Sequence, residues 1–263
     1  MDTLRIGIVG LGRLGRVHAE NIACKIPGAR LVAACTTRLE TLEYARELGV
    51  TALYTDFNQM LAEAEMDAVA VISTSSEHCW QIAAALDAGK HVFSEKPLGV
   101  DLDQCLQAQA AVERHPELTF MLGFMRRYDP SYAYAKKQVE AGVIGTPYLV
   151  KATGLDPEAV VGDAIRFCKN SGGIFLDAAI HDIDLMRWFL GSEAAEVYAL
   201  GATFKHPEFR QAGDDETGLA VFKFENGAMG TVHVGRTCPY GYHVETEIVG
   251  TEGPLRISAV PEK

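Results

Sequence analysis

Long apolar runs are absent from this 263-residue chain: none approaches the roughly 18 residues that a membrane-spanning helix needs. A membrane partner is therefore not expected, and the chain should be soluble. Positive charge is scarce, with 24 Lys and Arg against 35 Asp and Glu and a net charge of −11. That balance disfavours broad attraction to nucleic acid or anionic lipid and favours small-molecule partners. The six cysteines, at 24, 35, 79, 105, 168 and 238, are scattered with no CxxC pair, so neither a zinc site nor a disulfide framework is indicated. The N-terminal MDTLRIGIVG lacks a basic stretch followed by a long apolar core and cleavage site. No secretory signal is read, and a reducing cytoplasm is expected. Repeats, low-complexity tracts and Pro/Ser-rich linkers are also missing. A chain of this length lies near the size at which one core splits into two, so two domains are expected, sharing a tight interface with the active site between them.

What is present begins with an apolar strand, Leu4 to Val9, running straight into GLGRLG, a GxGxxG with glycines at 10, 12 and 15. A helix follows. Such glycines permit a tight turn, let backbone approach a pyrophosphate and allow close packing of helix on strand. The N–H groups of Arg13, Leu14 and Gly15 then open a helix whose positive dipole end suits phosphate. The bland alternative is a Gly-rich turn with no ligand. Further strands at RLVAAC, DAVAVIS and HVFSE alternate with helical segments such as Glu40 to Leu48 and His78 to Ala88. Alternation of this kind predicts a doubly wound parallel Rossmann sheet over residues 1–122, with ligands beyond the carboxyl ends of its strands. One absence matters here: the second strand ends in CTTR, without the Asp or Glu that usually binds the adenosine 2′-hydroxyl. Thr36, Thr37 and Arg38 can instead bind a 2′-phosphate, so NAD or NADP is the expected cofactor. Arg38 equally suits a solvated helix start or stacking on adenine.

Over residues 123–263 the pattern changes. Asp129 and Pro130 read as N-cap and first residue of a helix stopped at Gly142 or Gly145, and later strand pairs are punctuated at Asn226-Gly227 and Gly253-Pro254. An α/β domain followed by an α+β domain with a mostly antiparallel sheet is predicted. In LDAAIHDID, Leu176 to Asp184, a helix at about 100° per residue puts Asp177, His181, Asp184 and Trp188 on one side and Ala179, Ile183, Met186 and Leu190 on the other. Asp182 points away from the first face, toward a surface or interdomain contact. A metal site would need another placed His or Cys, and none is evident.

Taken in order, GxGxxG, EKP at Glu95 to Pro97, GFMRRYDP at Gly123 to Pro130 and GGIFLDAAIHDIDLMRW at Gly172 to Trp188 resemble the Gfo/Idh/MocA oxidoreductases, and among them the inositol 2-dehydrogenases. The resemblance runs over nearly the whole chain. It implies oxidation of a secondary hydroxyl of inositol or a related cyclic polyol, with Lys96, Asp177 and His181 as catalytic residues. Physical chemistry supports each role. Lys96 at a strand end can stabilise developing alkoxide charge. An imidazole, with an ordinary pKa near 6.5, suits His181 to accept a hydroxyl proton. Asp177, at i−4, orients the histidine or binds a substrate hydroxyl directly. The blander readings are an exposed loop lysine and a helical histidine satisfied in the core. Thr74, His78 and Glu95 fit the family's cofactor loops, although His78 also reads as a first-turn helix residue. Arg126, Arg127, Asp156, Tyr240 and Tyr242 are candidate substrate contacts, although Arg127 also suits a pair with Asp129 or another surface carboxylate and the tyrosines suit sheet positions. A tetramer is implied by the resemblance. Relatives generally continue for several tens of residues, so the C-terminal domain is expected to be truncated. Competing readings are a sugar or dihydrodiol dehydrogenase of the same family and a non-catalytic NAD(P)-binding regulator.

Overall fold

The computed structural model describes residues 3–259, which fall into two compact units divided between Gly123 and Phe124. In the first, strands β1 (Leu4–Val9), β2 (Ala29–Cys35), β3 (Ala52–Tyr54), β4 (Ala68–Val71), β5 (His91–Ser94) and β6 (Phe120–Leu122) alternate with helices α1 (Arg13–Cys24), α2 (Leu39–Glu47), α3 (Phe57–Glu63), α4 (His78–Asp87) and α5 (Leu102–Arg114). All strands pair in parallel, in the order β3-β2-β1-β4-β5-β6. This is the doubly wound Rossmann order, with its switch point between β1 and β4. Buried on both faces, the central strands read as near-continuous apolar runs: Ala68–Val71 is buried throughout. Two apolar clusters result, one holding Val9, Val69, Ile82 and Leu86, the other Ile8, Leu11, Ala34 and Ala70.

The second unit contains α6 (Pro130–Glu140), β7 (Pro147–Pro157), α7 (Val161–Cys168), α8 (Ile180–Leu190), β8 (Ala194–Ala202), α9 (Glu208–Gln211), β9 (Thr217–Phe224), β10 (Met229–Cys238), β11 (His243–Gly250) and β12 (Gly253–Ala259). Its strands form one sheet in the order β12-β11-β7-β10-β9-β8, antiparallel except for the β7–β10 pair. Residues of β9 alternate strictly, with Ala220, Phe222 and Phe224 turned into the core and Leu219, Val221 and Lys223 out. Leu185, Met186 and Phe189 of α8 pack into the same core. Asp129 caps α6 as expected, accepting from the backbone N of Ser131, with Pro130 first in the helix and Gly142 and Gly145 both left-handed beyond it. Asn226-Gly227 turns β9 into β10. The last hairpin differs from expectation: it turns at Thr251 and Glu252, and Gly253 and Pro254 already belong to β12. As the first residues of an edge strand they lose little, because proline's missing donor is not needed there.

Glu216, almost fully buried, gathers the loop before α9. Its Oε2 accepts from the backbone N–H groups of Phe204, Lys205 and His206 at 2.7–3.2 Å, and its Oε1 accepts from the Thr237 hydroxyl at 2.7 Å. Burial alone would raise its pKa, but the Thr237 hydroxyl and the three N–H groups more than reverse this and hold it at about 2. Such a depressed pKa stabilises the fold above the ordinary glutamate value of 4.5, and the contribution is lost as pH falls toward about 2. Glu216→Ala is expected to cost about 1–3 kcal/mol at neutral pH, read as a lower urea midpoint, with the difference from wild type shrinking toward pH 2. A pH-independent difference would contradict the charge-based account.

Candidate active site

In the first unit a groove of about 440 Å³ lies at the carboxyl ends of β1, β2 and β4. Its floor is Gly10 to Gly12, and its walls include Thr36 to Arg38, Asp56, Ser73, Thr74 and Trp80. Each glycine of GxGxxG has a separate reason. Gly10 has φ +93°, and a Cβ there would lie 2.5 Å from the Ile72 carbonyl oxygen. A Cβ on Gly15 would lie 2.1 Å from the Gly10 carbonyl oxygen. A Cβ on Gly12 would meet no protein atom within 4 Å and would point into open space. Helix α1 starts at Gly12 with neither a side-chain cap nor an acid in its first turn. Its first backbone bond runs from Arg16 N to Gly12 O, so the N–H groups of Arg13, Leu14 and Gly15 precede the ladder. An uncapped helix start beside open space over Gly12 fits a dinucleotide pyrophosphate.

Just beyond β2, Thr36 is buried, and its hydroxyl accepts from the backbone N of Arg38 and the hydroxyl of Thr41, each at 3.2 Å. Thr36 thus shapes the start of α2, while Arg38 is exposed on the groove wall with Asp56. The chain supplies Asp56 from the turn after β3, where it also caps α3. It lies 20 residues beyond Thr36 in sequence, out of reach of any pattern local to the end of β2.

Around EKP, Glu95 accepts through Oε2 from the Lys96 backbone N at 3.1 Å, and its Oε1 lies 2.9 Å from His18 Nε2 on α1. His18, which no local motif marks, ties α1 to the strand end that carries Lys96. Lys96 itself is half-buried. His78 is buried at the start of α4, its Nδ1 2.8 Å from Pro97 O and its Nε2 3.2 Å from Ser73 O. Burial lowers its pKa, against the opposing effect of those two carbonyls. Thr74 is exposed on the groove wall.

In the second unit the run around His181 departs from a regular helix. Phe175–Ala179 is a π-helical turn, and α8 begins only at Ile180. The wider turn breaks the 3.6-residue spacing between Asp177 and His181, whereas Asp184 and Trp188 follow His181 within the regular helix α8. The helix is also enclosed rather than half-exposed. Asp182, expected at a surface or interdomain contact, is fully buried and ion-paired with Arg126. Asp184, expected beside His181, is buried and takes Arg127 in a bidentate pair at 2.7 and 2.8 Å. Trp188 packs on Phe189 and lies under the Arg127 and Lys136 cations. Burial opposes the charge on Arg126, and Asp182 together with Tyr132 and Tyr242 more than offsets that, raising its pKa. The two arginines therefore clamp the short turn Met125–Tyr128 to α8 on either side of Ile183. His181, half-buried, sits edge-on to Phe124 with ring centroids 6.4 Å apart. Asp177, also half-buried, accepts at Oδ2 from Arg236 Nη1 at 2.9 Å. Asp156 is half-buried at the end of β7, and Tyr240 and Tyr242 are exposed in the turn before β11, with Tyr240 OH 3.0 Å from His243 Nδ1. Among the described residues no group of three or more His, Cys, Asp or Glu is placed to hold a metal ion.

Two family models match the chain. Residues 4–124 match the oxidoreductase family with an NAD-binding Rossmann fold, and residues 132–256 match the GFO/IDH/MocA C-terminal domain. The chain belongs to the Gfo/Idh/MocA family. Similar members include the scyllo-inositol 2-dehydrogenase (NAD(+)) of Bacillus subtilis, 38% identical over 98% of this chain and 74% of that one. The myo-inositol 2-dehydrogenase of Thermotoga maritima is 37% identical over 98% of this chain and 76% of its own. Among solved structures, scyllo-inositol dehydrogenase from Lactobacillus casei with bound NAD(H) and scyllo-inositol is 48% identical, with a TM-score of 0.94 over 100% of this chain and 78% of that one. As a Gfo/Idh/MocA member, the chain carries the Rossmann domain and the antiparallel second domain in the order expected of the family.

Proposed function

We propose that this protein is an NAD-dependent dehydrogenase that oxidises a secondary hydroxyl of scyllo- or myo-inositol to a ketone. The observation that carries the proposal is the match to an NAD(H)- and scyllo-inositol-bound relative over the whole chain at 48% identity. Bound NAD supplies the hydride acceptor. The N–H groups of Arg13, Leu14 and Gly15 would hold its pyrophosphate, with Thr74 and Arg38 on the groove wall. Lys96 donates to the reacting oxygen and steadies negative charge growing there. His181 accepts the hydroxyl proton at an imidazole nitrogen. Asp177 orients His181 or a substrate hydroxyl, and Asp156, Tyr240 and Tyr242 supply further polar contacts for a polyol. Arg126 and Arg127, engaged by Asp182 and Asp184, act as clamps that fix the position of α8. Assembly into a homo-oligomer, a tetramer by the resemblance, and residence in the cytoplasm belong to the same proposal. The outward Leu219 and Val221 of the second sheet give such assembly an apolar face.

The test is an initial-rate screen of myo-, scyllo- and chiro-inositol and several aldoses with each cofactor. NAD reduction by at least one inositol is expected, and reduction by aldoses alone would overturn the substrate assignment. Asp56 on the groove wall favours NAD by opposing a 2′-phosphate, and Arg38 lends what NADP affinity there is. Arg38→Ala is therefore expected to raise KM for NADP about tenfold or more. An unchanged NADP KM would remove the phosphate role from Arg38.

A further inference from the structure

Strand β10 turns Val232, Val234, Arg236 and Cys238 inward at every second position, so a guanidinium stands where the alternation calls for an apolar side chain. Arg236 is 2% exposed. Its Nη2 donates to Asp214 Oδ2 at 2.8 Å and its Nη1 to Asp177 Oδ2 at 2.9 Å. Phe209 packs against the guanidinium, 5.6 Å from ring centroid to Cζ. Asp214 is itself buried, and its Oδ1 accepts from the backbone N of Ile174 and of Asp215, each at 2.8 Å. Ile174 is the residue immediately before the π-helical turn that carries Asp177.

A buried arginine needs one carboxylate for neutrality, and Asp214 supplies it. The second bond, to half-buried Asp177, is not required on that ground and leaves the trio with a net negative charge. What it does is fix direction. One end of the guanidinium is anchored through Asp214 to the backbone where the π-turn starts, and the other end fixes one oxygen of the carboxylate within that turn. Two donors held at fixed angles on one planar guanidinium do this in a way a single ammonium cannot.

We propose that Arg236, braced by Asp214, is a positioning residue for the oxidation: by holding Asp177 Oδ2 it sets the direction in which the rest of that carboxylate is presented. The proposal rests on the role assigned above to Asp177. Small displacements of an orienting group are costly, and a misplacement of about 1 Å can reduce rate about 100-fold. A residue acting only through Asp177 must also lose its effect when Asp177 is already disabled.

The experiment is a double-mutant cycle read in kcat, with KM for NAD and melting temperature measured alongside. Arg236→Lys keeps a buried cation but not the fork. It is expected to lower kcat for inositol about 10- to 100-fold with KM for NAD unchanged, and to add little further loss in an Asp177→Asn background. Asp214→Asn, which keeps the shape of the brace and weakens its charge, is expected to lower kcat less, again only when Asp177 is present; it supplies the cycle if Arg236→Lys does not fold. Equal losses in both backgrounds, or wild-type kcat in Arg236→Lys and Asp214→Asn, would overturn the positioning role. Wild-type protein and Asp177→Asn are run first: an inactive wild type, or full activity in Asp177→Asn, overturns the functional reading itself, and with it this proposal.

Discussion

Replacing His181 with alanine is expected to lower kcat for inositol oxidation by about 10²- to 10⁴-fold while leaving the Kd for NAD and the melting temperature close to wild type. The expected loss is that of a proton acceptor aligned with the reacting hydroxyl. The expected stability follows from the surroundings. His181 lies one residue into α8, and that helix start is clamped independently by the Arg126–Asp182 and Arg127–Asp184 pairs. Leu185, Met186 and Phe189 pack the same helix into the core. Truncating a half-buried ring therefore removes chemistry without releasing the helix. The dinucleotide groove belongs to the first unit, so cofactor affinity serves as an internal control. Steady-state kinetics and NAD titration of the same preparation check both halves. An unchanged kcat would remove His181 from the reaction.

The second large effect separates cofactor binding from folding within one motif. Gly12→Ala is expected to fold with wild-type stability, because its Cβ meets no protein atom within 4 Å and its φ of −69° is ordinary for alanine. The same Cβ occupies the space over the helix start where the pyrophosphate must approach, so the Kd for NAD should rise about tenfold or more. Gly15→Ala should behave in the opposite order. Its Cβ would stand 2.1 Å from the Gly10 carbonyl oxygen, backbone against backbone, so the turn and the helix must separate. A loss of about 1–3 kcal/mol in stability is expected there, with cofactor binding impaired as a consequence. Thermal melts and NAD titrations of the two variants check the contrast. Wild-type NAD affinity in Gly12→Ala would contradict the placement of the pyrophosphate.

These contrasts also show where sequence reasoning works. GxGxxG after a strand, the Asp129-Pro130 helix start and the Asn226-Gly227 hairpin depend on neighbours within a few residues, and each was legible. The region of His181 was only half legible. Its apolar side, Ala179, Ile183, Met186 and Leu190, packs on the core as the helical period implies. On its polar side the π-turn at Phe175–Ala179 alters only the place of Asp177, whereas His181, Asp184 and Trp188 keep the helical period within α8. Asp182 and Asp184 looked available for chemistry or surface contact, but their arginine partners lie 56 and 57 residues earlier. No local pattern reports such pairings. Arg236 is a different case: it continues the inward positions of Val232 and Val234, and the signal is hidden by the ordinary expectation that arginine lies at a surface. Asp56 and His18 were passed over for a third reason. Each belongs to an element whose role in the groove or at EKP depends on how parallel strand ends line up in space.

The most direct test of the proposed oxidation uses inositol deuterated at its ring carbons. With wild-type protein and NAD, deuterium is expected in the reduced nicotinamide and a ketone in the product, with a primary isotope effect in the single-turnover rate. A reduced cofactor without deuterium, or no reduced cofactor with any inositol, would contradict the account.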